Sequence, residues 1–302
     1  MLKAPTMMNP SFKTQAGQSA FTTVYDRALE RWPIPVERLF VPTRFGRTHV
    51  LVSGPREAPP FFLLHGMTGS STMWAPNIAA LARTHRVYMP ELPGDFGWSE
   101  VGQPMKSRDD CAAWLGEVMD GLKVESSVVG GQSLGGWLSL NFALKVPARV
   151  KALVMIAPAG SFAEVGLQFI LHAVPCMIFP YRFVFEWSER WMCAPGNIAP
   201  RESSELFAAG MRHFRSQVRV RPGPFPEGEL RGLLVPTLLL VGDKEVITNG
   251  PALVERARQL IPHVQAELVP HAGHLLSGEK PEHVNARVVR FLEDLARPSQ
   301  AA

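Results

Sequence analysis

At 302 residues the chain has room for one large domain or a domain carrying an insertion, and 46% hydrophobic residues suffice for a sizeable core. A formal net charge of +4 without a long basic run argues against a surface that tracks phosphates, so nucleic acid is not an expected partner. Three widely spaced cysteines (Cys111, Cys176, Cys193) form no C-x-x-C pair, which argues against a disulfide framework or zinc site and makes a reducing cytoplasm the expected compartment. Met1 to Pro5 lacks the uninterrupted apolar run of a secretory signal. The most apolar stretch, Val165 to Tyr181, is broken by Gln168, His172 and Pro175, so no membrane span is expected.

In chain order, residues 1–36 read as an arm: a polar tail, then helical spacing from Phe21 through Val24, Ala28 and Trp32 until Pro33 and Pro35 end it. Arg38 to Val41 and Thr48 to Val52 read as a hairpin around Phe45-Gly46. Pro60 to Leu64 is a short apolar run of the kind buried on both faces of a sheet, leading into His65-Gly66-Met67-Thr68-Gly69-Ser70. Thr72 is placed to cap a helix through Ala82, followed by a strand at Arg86 to Met89 and the loop Glu91 to Ser99. A helix from Asp110 to Leu122 leads to Val128-Val129 and to Gly131-Gln132-Ser133-Leu134-Gly135. That pattern is a strand, a tight turn and then a helix that Pro147 stops, with Ser133 at the tip. Val150 to Ile156 is a further buried strand. From 159 to 229 the rhythm breaks into an aromatic, proline-containing segment without a strand-like run, read as an inserted helical cap. Strands resume at Pro236 to Val241 and at Ala266 to Val269, and Pro281 to Leu295 closes the chain as an amphipathic helix. The expected fold is α/β: a mostly parallel central sheet flanked by helices on both faces, built from residues 37–158 and 230–302, with the cap inserted.

A serine hydroxyl becomes a nucleophile when a base takes its proton, and the base needs a third group to hold its tautomer. In a parallel sheet such partners lie just past the carboxyl ends of strands. Asp243 follows one apolar run and His274 another, in the order serine, acid, histidine. Ala157-Pro158-Ala159-Gly160 supplies no carboxylate, which favours Asp243, with Glu245 its nearest competitor. His274 is favoured over His271 because it lies deeper in its loop. The oxyanion of an acyl transfer would be held by the amides of Leu134 and Met67. His65, Gly66, Trp137 and Trp187 are candidate substrate contacts. No metal or cofactor site is indicated, since His271 and His274 lack a flanking carboxylate cluster.

These features resemble the α/β-hydrolase fold family over roughly residues 38–296 apart from the cap. The H-G loop corresponds to His65-Gly66, the nucleophile to Ser133, the acid to Asp243 and the base to His274 within Gly273 to Pro281, similar to the family's G-H-x(4)-E-K-P ending. One departure is Glu91, where the family often has aspartate in D-x-P-G-x-G-x-S; an additional residue also lies between Gly94 and Gly97. The resemblance implies a serine hydrolase that cleaves carboxylic esters through an acyl-enzyme, its small-molecule substrate bearing an apolar acyl group. Lactone, amide and carbon–carbon bond hydrolysis, perhydrolysis, and a non-catalytic ligand receptor on the same fold are the alternatives. The serine argues against dehalogenase or epoxide hydrolase chemistry, which would put aspartate at position 133. Oligomeric state is not legible in the residues. Arg212, Arg215, Arg219 and Arg221 offer a rival recognition surface for a substrate carboxylate.

Overall fold

The structure, a computed structural model, describes residues 8–179 and 181–297. Helix α1 (Gln15–Glu30), capped by the Thr14 hydroxyl on the Gly17 amide, precedes the hairpin β1 (Glu37–Thr43) and β2 (Gly46–Ser53). Then come β3 (Pro60–Leu64), α2 (Ala75–Leu81), β4 (Arg86–Pro90), α3 (Arg108–Gly121), β5 (Ser127–Gln132), α4 (Leu134–Lys145) and β6 (Val150–Ile156). Helices α5 (Leu167–Ile178), α6 (Arg182–Met192), α7 (Arg201–His213) and α8 (Glu227–Arg231) separate β6 from β7 (Thr237–Gly242). The chain finishes with α9 (Gly250–Leu260), β8 (Val264–Val269), α10 (Leu276–Glu279) and α11 (Pro281–Ala296).

The eight strands form one sheet in the order β1-β2-β4-β3-β5-β6-β7-β8. Pairing is antiparallel from β1 to β2 and from β2 to β4, and parallel from β4 through β8. The inner parallel strands β3, β6 and β7 are apolar at nearly every position because both faces are covered. Phe62, Leu64, Val129, Met155, Leu239 and Val241 face one core with Trp114, Leu115 and Val118 of α3 and Leu138 and Phe142 of α4. Their neighbours Phe61, Leu63, Val128, Ile156, Leu238 and Leu240 face a second core with Ile78 of α2 and Val284, Val288 and Phe291 of α11. Such alternation is the pleat of a strand expressed as two hydrophobic interiors, each buried side chain contributing about 1.5–3 kcal/mol. Every parallel strand therefore ends on the same edge, and β3, β5, β7 and β8 deliver the candidate loops there.

Two local expectations differ from the structure. Ser70, not Thr72, caps the turn after β3, through its hydroxyl on the Thr72 amide; the chain first makes a 3₁₀ turn at Ser71–Trp74. The α-helix begins only at Ala75, because Pro76 has no N–H to donate and suits a first turn. The helix α9, absent from the sequence reading, is capped by Asn249 on the Ala252 amide.

Candidate active site

The β5–α4 junction sets the centre. Ser133 adopts φ 55° and ψ −119°, a backbone conformation that L-residues avoid, and its amide donates to Ile156 O at 3.0 Å. The turn closes only because its neighbours have no side chains. A Cβ on Gly135 would lie 2.1 Å from Leu64 O, and one on Gly131 2.5 Å from the Gly135 carbonyl carbon. Directly after Ser133 the first amides of α4 have no intrahelical acceptor, and no side chain caps them.

Ser133 Oγ lies 2.9 Å from His274 Nε2, and His274 Nδ1 lies 2.8 Å from Glu245 Oε2. The carboxylate accepts Nδ1–H, so Nε2 carries the lone pair that faces the serine hydroxyl. The His274 and Glu245 side chains are 4% and 1% exposed, dry enough for this chain of bonds to exclude competing water. The remaining Glu245 oxygen, Oε1, accepts the Ile247 amide at 2.7 Å. Four groups hold the histidine: besides Ser133 and Glu245, its amide donates to Met192 O at 2.7 Å and its carbonyl accepts Gln132 Nε2 at 2.9 Å.

The carboxylate against His274 is thus Glu245 and not the expected Asp243. Asp243 is the first residue of the turn that follows β7; its amide donates to Val269 O of β8, and its side chain meets the Ala272 amide and Lys244 Nζ at the rim. That turn is closed by the Glu245 amide on Gly242 O and carries Glu245 to its far side, where the carboxylate meets His274 Nδ1. His271, the rival base, is exposed, with φ 53°.

The loop after β3 sits against the elbow: a Cβ on Gly66 would lie 3.4 Å from Ser133 Cβ. His65 is buried and serves the loop rather than a ligand. Its Nε2 accepts the Leu92 amide at 3.0 Å, which makes Nδ1 the donor to Gly66 O at 2.8 Å. The Thr68 amide donates to both oxygens of Asp95, at 3.1 and 2.9 Å. Met67 between them is 37% exposed, while Leu134 is buried. Complete burial pushes the Asp95 carboxyl up to about 6, against the opposing pull of His65 and of the Phe96 and Thr68 amides. Trp137, expected as a substrate contact, is buried, packs on Phe225 and donates its indole N–H to Gly223 O, so it belongs to the core. Trp187 stacks on His172 of α5 with ring centres 4.3 Å apart and is half exposed on α6.

Three further side chains, none expected as a site residue, brace this edge. Gln132 Oε1 accepts the Ser277 amide and hydroxyl while Nε2 holds His274 O. The Glu279 carboxylate gathers the amides of Gly273 and Ala194 and the side chain of Asn197, joining the histidine loop to the segment after α6. Glu91, the departure from the family pattern, is fully buried. It accepts the Tyr25 hydroxyl, His49 and the Trp98 amide, so glutamate reaches partners on α1 and β2. Burial would raise its carboxyl, but His49 and these donors outweigh it and hold the group below its ordinary value. Only glycine fits beside it at Gly97, where a Cβ would lie 2.2 Å from Glu91 Oε2. Among the described residues no cluster of three or more His, Cys, Asp or Glu is placed to hold a metal ion, and no helix is long and apolar enough to cross a membrane.

Comparison with known proteins agrees with this architecture. Residues 61–287 match the Alpha/beta hydrolase family. The chain is 37% identical to the carboxylesterase nap of Bacillus subtilis over 88% of its own length and 90% of the relative's. It is 36% identical to carboxylesterase YbfK of the same organism over 95% and 98%. The crystal structure of naproxen esterase (carboxylesterase NP) from Bacillus subtilis superposes with a TM-score of 0.87 at 35% identity, covering 93% of this chain and 99% of that one. The chain belongs to the alpha/beta hydrolase family and is a hydrolytic enzyme.

Proposed function

We propose that the protein is a serine carboxylesterase in which Ser133 is the nucleophile, His274 the general base and acid, and Glu245 the carboxylate that orients the histidine. The observation that carries this reading is the continuous Ser133–His274–Glu245 hydrogen-bond chain, 2.9 and 2.8 Å long, at the elbow. Ser133 Oγ attacks the ester carbonyl carbon as its proton passes to His274 Nε2. The resulting oxyanion is met by the amides of Leu134 and Met67. On collapse the carbon–oxygen bond to the alcohol breaks, and that oxygen takes the proton from His274. Water then attacks the acyl-enzyme, giving its proton to His274, and Ser133 leaves reprotonated as the acid departs. Carboxylesterase relatives at 36–37% identity support ester as the substrate class.

Within this reading residues 8–36 are an arm, 37–158 and 230–297 the core, and 159–229 a cap that roofs the pocket, while 1–7 and 298–302 of the expected arm and core lie outside the described residues. Attachment of the cap to both catalytic loops supports that role: the Gly166 amide donates to Ile247 O beside Glu245, and Met192 O accepts from His274. Apolar roofing favours an apolar acyl group, each added methylene contributing roughly 0.8 kcal/mol until the pocket is full. The test is fluorophosphonate labelling of Ser133 together with kcat/KM for p-nitrophenyl acetate through octanoate and for matched half-esters ending in a carboxylate. We expect labelling and a several-fold gain per carbon. Absence of labelling would sink the mechanism, and a preference for the half-esters would move recognition to the exposed Arg215 and Arg219.

A further inference from the structure

The connection from β6 to β7 exposes an unusual quantity of apolar surface on one helical pair. Leu167, Leu171, Val174 and Ile178 line a face of α5, with Ile170 and Met177 beside them. Phe179, Tyr181, Phe183 and Trp187 continue it onto α6, and all of these residues are 41–73% exposed. The two helices are joined by His172 stacked between Trp187 and Trp191 and by the buried Cys176 against Val184, with half-exposed Trp187 at their seam. A large apolar side chain offers on the order of 200 Å² when fully exposed, so this face presents on the order of 1,000 Å². The largest apolar patch of a typical monomer is about 300–600 Å², whereas a stable protein interface needs about 800 Å² from each partner.

We propose that a second copy of this chain covers the α5–α6 face, in an isologous dimer about a twofold axis between the two α5 helices. Charge selects this occupant. α5 carries no charged residue from Leu167 to Ile178, so two copies of it meet without like-charge conflict. From 167 to 192 the surface charges are Arg182 and Arg190 against Glu186, since Glu189 is buried. The guanidinium of Arg182 is bound to Glu186 at 2.6 Å and that of Arg190 approaches it at 3.8 Å. A membrane-surface helix needs a surplus of free cations, which the engagement of both arginines by Glu186 denies, whereas a mixed-sign rim is self-complementary across a twofold. The composition, rich in Met and aromatic residues and free of Lys, is that of an interface core. A dimer so formed would steady the helices whose ends reach the Glu245 and His274 loops.

Sedimentation velocity of the full chain from 1 to 100 µM tests this. The expected result is a concentration-dependent dimer, with Leu171→Glu and Met177→Glu each raising its dissociation constant at least ~30-fold, since the twofold buries every introduced charge twice. Leu234→Glu, at an equally exposed apolar residue just before β7, should leave it unchanged. Thermal melting by circular dichroism verifies that each variant is folded, and none of these readouts depends on esterase activity. A wild type that is monomeric at 100 µM would overturn the proposal, as would a dimer indifferent to both α5 variants or dissociated by Leu234→Glu. A monomer that instead co-sediments with phosphatidylcholine vesicles would assign the face to lipid.

Discussion

Ser133 and His274 are held by backbone contacts as much as by each other, and this decides which substitutions matter. Glu245→Gln keeps the size of the side chain but puts an amide where Nδ1–H needs an acceptor. We expect kcat/KM for a p-nitrophenyl ester to fall about 10³–10⁴-fold while the fold is retained. Asp243→Asn, at the partly exposed rim, should change it less than about threefold, and the opposite ranking would return the role to Asp243. Gln132 acts through other residues: its Nε2 holds His274 O and its Oε1 holds Ser277. Gln132→Leu should lower kcat about 10–100-fold with KM little changed, and Gln132→Glu, which sets an oxygen against His274 O, should do no better. Equal loss of stability and activity, with KM rising in step, would make Gln132 merely structural. The serine and the histidine were legible because an elbow pattern and strand ends locate them. The carboxylate that meets His274 was read two residues too early, since the sequence marks where β7 ends but not how the turn closed by the Glu245 amide on Gly242 O aims each side chain. Gln132 was invisible for another reason: it occupies the unspecified position of G-x-S-x-G, and its partners lie more than 140 residues away.

The strands were legible as elements because a parallel strand buried on both faces has to be apolar throughout, and β3, β6 and β7 leave that mark. The helices between β6 and β7 were legible only as an interruption of the strand rhythm, without the bounds of α5, α6 and α7. Helix α1 and the residues just before it have a role that spacing alone did not disclose. Phe12 and Phe21 pack against Phe214 at the end of α7, with ring centres 4.9 and 6.3 Å away, and the Lys13 amide donates to His213 O at 2.8 Å. On its core side the same arm sends the Tyr25 hydroxyl to Glu91 at 2.7 Å. One helix therefore ties α7 to the loop after β4. Tyr25→Phe removes a donor from a buried carboxylate and should cost about 1.5–3 kcal/mol in urea unfolding. Asp26→Asn breaks only a partly exposed pair with Arg38 and should cost less than about 1 kcal/mol. Equal costs would show that the arm rests on the core through its aromatic contacts alone.

For the whole molecule, the edge that carries the chemistry is also where buried charge weakens the fold. The two cores are apolar and insensitive to pH, but Asp95 lies at zero exposure beneath the loop that places Met67, with its carboxyl raised to about 6 from an ordinary 3.8. A raised carboxyl means that the native state binds its proton more tightly than the unfolded chain does. The protonated form then contributes stability in full below about pH 4, and that contribution is lost as pH rises through about 6. Its size is on the order of 3 kcal/mol at most. Asp95→Asn cannot ionise and exchanges one acceptor of the Thr68 amide for a donor, which adds a penalty independent of pH. Unfolding free energies from urea titrations at pH 4, 5, 6 and 7 separate the two effects. The wild type should lose stability relative to Asp95→Asn across that window, the difference levelling off above about pH 6.5. Parallel curves would mean that Asp95 ionises as freely in the folded protein as in the unfolded chain, and that the Thr68 and Phe96 amides compensate its burial completely.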